Sequence, residues 1–182
     1  LLALVLLSGA KNLLPVIYLA LLVPQVVFLP GIANLMLGLH IGASVGAVTV
    51  IHVLFVLPYV VLTLYGPYSG LDTRYESVAL SLGVRPIRVF MTVRLPMLLG
   101  PSIAALAIGF AVSVAQYLPT LLFGGGRVTT VTTEAIALAS GGDRRVIGLY
   151  GLAQMLMAVI PFGLAILLPP FIWRHRRGMQ NG

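Results

Sequence analysis

The sequence has no cysteine, a single tryptophan and only four acidic residues in 182. Without cysteine there is no disulfide framework and no thiolate metal site. Charged residues make up 8% of the chain, where a soluble domain carries roughly 25%. Four carboxylates cannot keep a globule of this size in water. What is present instead is 59% hydrophobic residues and a mean hydropathy of +1.08, so the bilayer is the natural solvent. The net charge of +7 does not point to nucleic acid, because no dense basic run is interleaved with aromatics. Two further absences bear on chemistry. There is no Gly-x-x-x-x-Gly-Lys-Ser/Thr phosphate loop. There is also no His-Glu-x-x-His run, and Ser113 has no histidine at helical spacing, so an intramembrane hydrolase lacks both a nucleophile–base pair and a metal cluster.

A membrane helix needs ~20 apolar residues to cross ~30 Å of hydrocarbon. Four windows qualify, at about 13–37, 43–65, 97–123 and 146–173. Leu1–Leu7 reads as the tail of a preceding helix (residues 1–10), in preference to a signal peptide, because no basic stretch comes before it. The expected fold is therefore all-α, a polytopic transmembrane helical bundle in a single domain over 1–182. Gly38–Gly42 is a tight turn. The long connection 66–96 carries Asp72, Arg74, Glu76, Arg85, Arg88 and Arg94. If that loop is cytoplasmic, its side also collects Lys11, Arg174, Arg176 and Arg177, leaving Arg127, Arg144 and Arg145 opposite. The positive-inside rule favours this orientation, with a cytoplasmic C-terminus. Pro15, Pro24, Pro30, Pro58, Pro119, Pro161, Pro169 and Pro170 fall in or near the spans, a density of kinks that suits a transporter.

The connection has its own pattern. Asp72 or Thr73 can cap a short helix. Leu71, Tyr75, Val78, Ala79 and Leu82 recur at helical spacing. Gly83 suits the position that ends it, and Pro86 the first turn of a second helix carrying Arg88, Phe90, Val93 and Arg94. Physics alone leaves two readings open. This is an apolar knob with basic flanks that docks in a partner's groove, or an interfacial amphipathic helix without a partner.

A resemblance bears on that choice. Tyr75-Glu76-Ser77-Val78-Ala79-Leu80-Ser81-Leu82-Gly83-Val84-Arg85-Pro86 and its continuation to Pro96 resemble the signature loop of ABC-importer permeases, E-A-A-x3-G-x9-I-x-L-P. Gly83 and Val93-Arg94-Leu95-Pro96 stand at the family spacing. Ser77-Val78-Ala79 takes the E-A-A positions, so the glutamate departs from the pattern and Glu76 lies one residue earlier. His52–Tyr59 and Phe110–Tyr117 resemble the flanking helices, with Gln116 where relatives often have an acid. Gly124-Gly125-Gly126 resembles the external loop, and Asp143 the acid before the last helix. The style is nearest to thiamine, iron, sulfate and spermidine/putrescine permeases. The resemblance implies a type I importer (MetI-like) permease core in a bacterial inner membrane, moving a small solute by alternating access. It implies an ABC ATPase subunit dimer that holds the ATP and magnesium, so this chain has no cofactor of its own. It further implies a second permease domain (homodimer, heterodimer or fused half) and a periplasmic or extracellular solute-binding protein. The coupling loop is then Tyr75, Glu76, Ser77, Val78, Ala79, Leu82, Gly83, Arg85, Arg88, Leu95 and Pro96.

Ser113, Gln116 and Thr120 recur at i, i+3 and i+7 in the third window, with Tyr117 adjacent. Such residues line a translocation pathway or hydrogen-bond helices together, which is the commoner outcome. His40 and His52 are read near opposite ends of one helix, with His175 in the tail, so no metal site is expected. Gln25, Asn34 and Gln154 read as helix–helix glue, and Met36, Met91, Met97, Met155 and Met157 as packing. The basic tail reads as an anchor on anionic membrane lipid. The runner-up is a secondary transporter, disfavoured because the spans hold His52 and essentially no carboxylate to couple ions.

Overall fold

The computed structural model describes residues 10–139, 141 and 144–172, with side chains over 14–139, 141 and 144–168. The expectations for Leu1–Leu7, Asp143 and the basic tail lie outside these residues. Regular structure among them is entirely helical. The elements are α1 (Ala10–Leu22), α2 (Gln25–Gly38), α3 (Val45–Ser69), α4 (Arg74–Ser81) and α5 (Pro86–Met97, with a π-helical turn at Phe90–Arg94). They continue as α6 (Leu99–Val114), α7 (Tyr117–Gly124), α8 (Val131–Ala139) and α9 (Arg144–Ile172). Helices α3 and α9 are long and apolar enough to cross a membrane as single rods.

Prolines decide where the other windows break. The first window is two helices, α1 and α2, bent by 102°. Pro24 disfavours helical torsions at Val23, and α2 restarts after it. Between α5 and α6 the chain bends by 68° at Leu98. Pro101 has no N–H for the carbonyl four residues back, Met97, and its ring crowds that carbonyl. The third window is interrupted once more at Ala115–Gln116, four residues before Pro119, for the same reason. It is therefore two helices and not one. His40 is also not on a helix with His52: it sits in the turn before α3 with φ +56°.

Packing centres on α3, which contacts α6 along much of its length and also meets α1 and α7. Ser44 starts α3 by accepting the Ala47 N–H at 3.2 Å. One core cluster joins Val61, Leu64 and Ala105, with Ile17 and Tyr68 against it. A second joins Leu29, Val48, Ile51, Phe55 and Phe123. Helix α9 packs on α6 and α8. Gly109 lets α3 and α6 approach closely, since a Cβ there would stand 3.0 Å from Val60 and 3.1 Å from Val56.

The glycine run after α7 is a second close approach. Gly125 has φ +53°, and a Cβ on it would fall 2.7 Å from the Ala43 Cβ. The Ser44 N–H meanwhile donates to the Phe123 carbonyl at 3.2 Å. Gly125→Ala is expected to destabilise the fold by about 2 kcal/mol or more, combining left-handed strain with that clash. A thermal melt of the purified protein in detergent checks this, with Gly126→Ala, where a Cβ meets open space, as the milder comparison.

Candidate functional site

The knob on the connecting loop is built by local chemistry. Asp72 Oδ1 accepts the Arg74 N–H at 2.9 Å, at the entrance to α4. Thr73 is the N-cap residue but its side chain makes no capping bond. At the other end Gly83 takes φ +77°. Its N–H donates to Leu80 O at 2.9 Å, and the Val84 N–H reaches Ala79 O at 3.2 Å. That is a Schellman termination with glycine at C′. Arg85 is extended and Pro86 opens α5.

No side chain of helix α4 is fully buried. Tyr75, Val78 and Leu82 are 61%, 59% and 78% exposed although apolar. At i, i+3 and i+7 they share one face. Ser77, Arg85 and Arg88 are exposed beside them, while Ala79, Leu95 and Pro96 are half-buried. Glu76 faces inward instead: its Oε2 lies 3.7 Å from Arg94 Nη2.

The polar residues of the broken third window come together around a residue that sequence reasoning set aside. His52 Nδ1 is 2.9 Å from Ser113 Oγ, on α6, and His52 Nε2 is 2.8 Å from Thr120 Oγ1, on α7. Thr120 donates its one hydroxyl proton to Gln116 O at 2.6 Å. Nε2 must therefore carry the proton it shares with Thr120, which in a neutral ring leaves Nδ1 to accept from Ser113. The imidazole bridges the two sides of the helix break. At the break Gln116 has φ −79° and ψ 82°, and the Tyr117 N–H donates to Ala115 O at 3.0 Å, an inverse γ-turn. The Val114 carbonyl, freed by the break, accepts from the Thr132 hydroxyl on α8.

Gln116 and Thr120 are buried and Tyr117 is half-buried. The Gln116 amide reaches His52 O at 3.5 Å, and its Oε1 has no partner among the described residues. Ser113 and His52 instead face a cavity of about 600 Å³, whose wall also includes Thr49, Val56, Phe110 and Thr132. The signal that could have found His52 was available: an ionisable residue in the middle of an apolar run marks a functional site by default. Its partners lie 61 and 68 residues away, beyond the reach of any helical-spacing argument. Among the described residues no group of three or more His, Asp or Glu side chains could hold a metal ion.

Residues 8–175 match the family model for the binding-protein-dependent transport system inner membrane component. The inner membrane ABC transporter permease protein YnjC of Escherichia coli (strain K12) is 36% identical over 90% of this chain and 32% of its own length. The molybdenum transport system permease protein ModB of Mycobacterium tuberculosis (strain ATCC 25618 / H37Rv) is 37% identical over 50% of this chain and 34% of its own. A spermidine/putrescine transport system permease protein PotC homolog of Mycoplasma pneumoniae is 26% identical over 78% of the chain and 50% of its own. The chain thus spans a third to a half of the length of these relatives. No solved structure matches it significantly. The chain, helical throughout its described elements and carrying the glycine-to-Leu-Pro spacing at 83–96, belongs to the binding-protein-dependent transport system inner membrane component family, whose members are ABC transporter permeases and not enzymes.

Proposed function

We propose that this chain is the membrane-embedded part of an ATP-driven importer, worked from the cytoplasmic side by a separate ATPase dimer docked on α4. The observation that carries the reading is the exposed apolar face of Tyr75, Val78 and Leu82. It stands on a helix with no fully buried side chain, in the segment where the family signature falls. A partner groove that covers this face removes apolar area from water, and the exposed Arg85 and Arg88 meet acidic groups or lipid phosphates at its edge. Closure of the ATPase dimer on ATP then moves the knob, and the helices it joins alternate between inward- and outward-facing arrangements. A second permease domain completes the pathway, and an external binding protein delivers a small solute. The wall formed by His52, Ser113 and their hydroxyl neighbours is this chain's contribution to that pathway, with Gln116, Tyr117 and Thr120 supporting it from behind.

The absence of cysteine makes single-cysteine labelling direct. Ser81→Cys on the knob is expected to resist a membrane-impermeant thiol reagent in intact cells and to react after permeabilisation. Reaction in intact cells would overturn the cytoplasmic placement. In the purified transporter, Val56→Cys on the cavity wall should react with a water-soluble thiosulfonate at least about 10-fold faster than Val61→Cys, which is 1% exposed in the apolar core. Equal rates would remove the pathway role.

A further inference from the structure

Arg94 has no part in the docking face, yet three helices meet at its guanidinium. It ends the π-helical turn of α5, two residues before Pro96. Its Nη2 is 3.7 Å from Glu76 Oε2 on α4. Its Cζ stands 4.7 Å from the centre of the Tyr68 ring, near the end of α3. The side chains of Arg94 and Glu76 are only 27% and 34% exposed. The Nε of Arg94 is buried and has no hydrogen-bond partner among the described residues. A solvent-seeking rotamer would relieve that cost, as the exposed Arg85 and Arg88 do on the same loop. The side chain is held inward by what it touches: a carboxylate and an aromatic face.

The knob needs such a hold. With no buried side chain of its own, α4 is joined to the molecule by two short connections and a few contacts to α5. A helix tethered only that way swivels, and a swivelling lever delivers little of a partner's stroke. We propose that Arg94 is a positioning residue that clasps α4 to the end of α3 and the start of the α5–α6 span, so that knob and spans move as one body. The π turn contributes by adding a residue to that turn of α5, which re-aims the side chain at its end. The displaced glutamate gains an explanation: Glu76 serves inside the chain, one residue before the position where the family signature places it. The lever role rests on the docking reading above; the clasp itself does not.

The test is solute-free and keeps the two apart. Nitroxide labels are placed at exposed Ser81 on the knob and exposed Leu106 on α6, in the full transporter with its ATPase subunits in nanodiscs. The distance distribution is narrow in the parent chain. In Arg94→Ala and in the near-isosteric Glu76→Gln it broadens at least about twofold. The double variant is no broader than either single one, because both remove the same link. Both variants keep the ATPase subunits bound, and the ATP-plus-vanadate shift at Leu106 shrinks at least about threefold. Unchanged widths, or additive broadening in the double variant, overturn the clasp. So does loss of the ATPase subunits in Arg94→Ala, which would make Arg94 part of the docking contact. If the parent chain itself retains no ATPase, the docking reading fails, while the widths still decide the clasp.

Discussion

Val78→Asp is expected to weaken the hold of the ATPase subunits on this chain by about 100-fold or more. Two costs combine. Burying a valine side chain contributes about 1.5 kcal/mol, and that contribution is lost. An unpaired carboxylate carried into an apolar groove adds several kcal/mol of desolvation cost, partly relieved by protonation or by leaving the groove open. A net loss near 3 kcal/mol corresponds to a little over 100-fold in the dissociation constant. Because Val78 is 59% exposed and α4 contributes nothing to the core, the substitution should leave the thermal melt of the chain within about 2 °C of the parent, as surface changes do. Co-purification of the ATPase subunits, followed by their titration onto the permease in nanodiscs, reads the effect. Val78→Leu is the control and should bind as the parent does. Full retention of the subunits by Val78→Asp would remove the knob from the coupling path.

His52→Ala acts on the other half of the site and in the opposite way. It should lower stability by about 1–3 kcal/mol while leaving the knob and its partner untouched. Interhelical hydrogen bonds in membrane proteins average about 0.6 kcal/mol and reach about 1.7 kcal/mol. His52 makes two, to Ser113 and Thr120, and its loss also leaves a void beside an existing cavity. The thermal melt should fall by several degrees. His52→Gln, which retains one donor and one acceptor on a longer stem, should recover part of the loss. The same variant separates wall from bolt. If His52 shapes a wetted pathway, Val56→Cys reactivity changes by an order of magnitude in the His52→Ala background. If the melt falls and reactivity does not change, the histidine only joins helices.

The helical class of the fold is legible in the sequence. Hydropathy located the apolar windows, because the bilayer imposes a length and composition that few other constraints imitate. The Gly83 termination and the Pro86 restart were also legible, since a left-handed glycine followed by a proline leaves the backbone few alternatives. The breaks were not. A proline at 24, 101 or 119 says that a helix is perturbed, but neighbouring helices decide whether it bends or stops. Pro30 and Pro58 sit inside continuous helices, while Pro24 accompanies a 102° turn. Reading 97–123 as one helix placed Ser113, Gln116 and Thr120 on one stripe. They meet instead through His52, whose partners come from across a helix break. Glu76 shows the same limit. Its one-residue displacement was visible, but its partner Arg94 lies on the next helix, and only the turn at 82–85 brings them together.

The inverse γ-turn at Gln116 gives the two halves of its span separate directions. Helix α7 has 8 residues, about 12 Å at 1.5 Å per residue. Rotation by about 10° around the Gln116 torsions carries its far end, at the glycine loop, by about 2 Å. An unbroken rod would have to drag α6 along, against its packing on α3 and α9. With the joint in place, α7 lies where α3 holds it, through the buried Phe123 and the Ser44 N–H on the Phe123 carbonyl, while α6 keeps its own direction, like two planks meeting at a mitre.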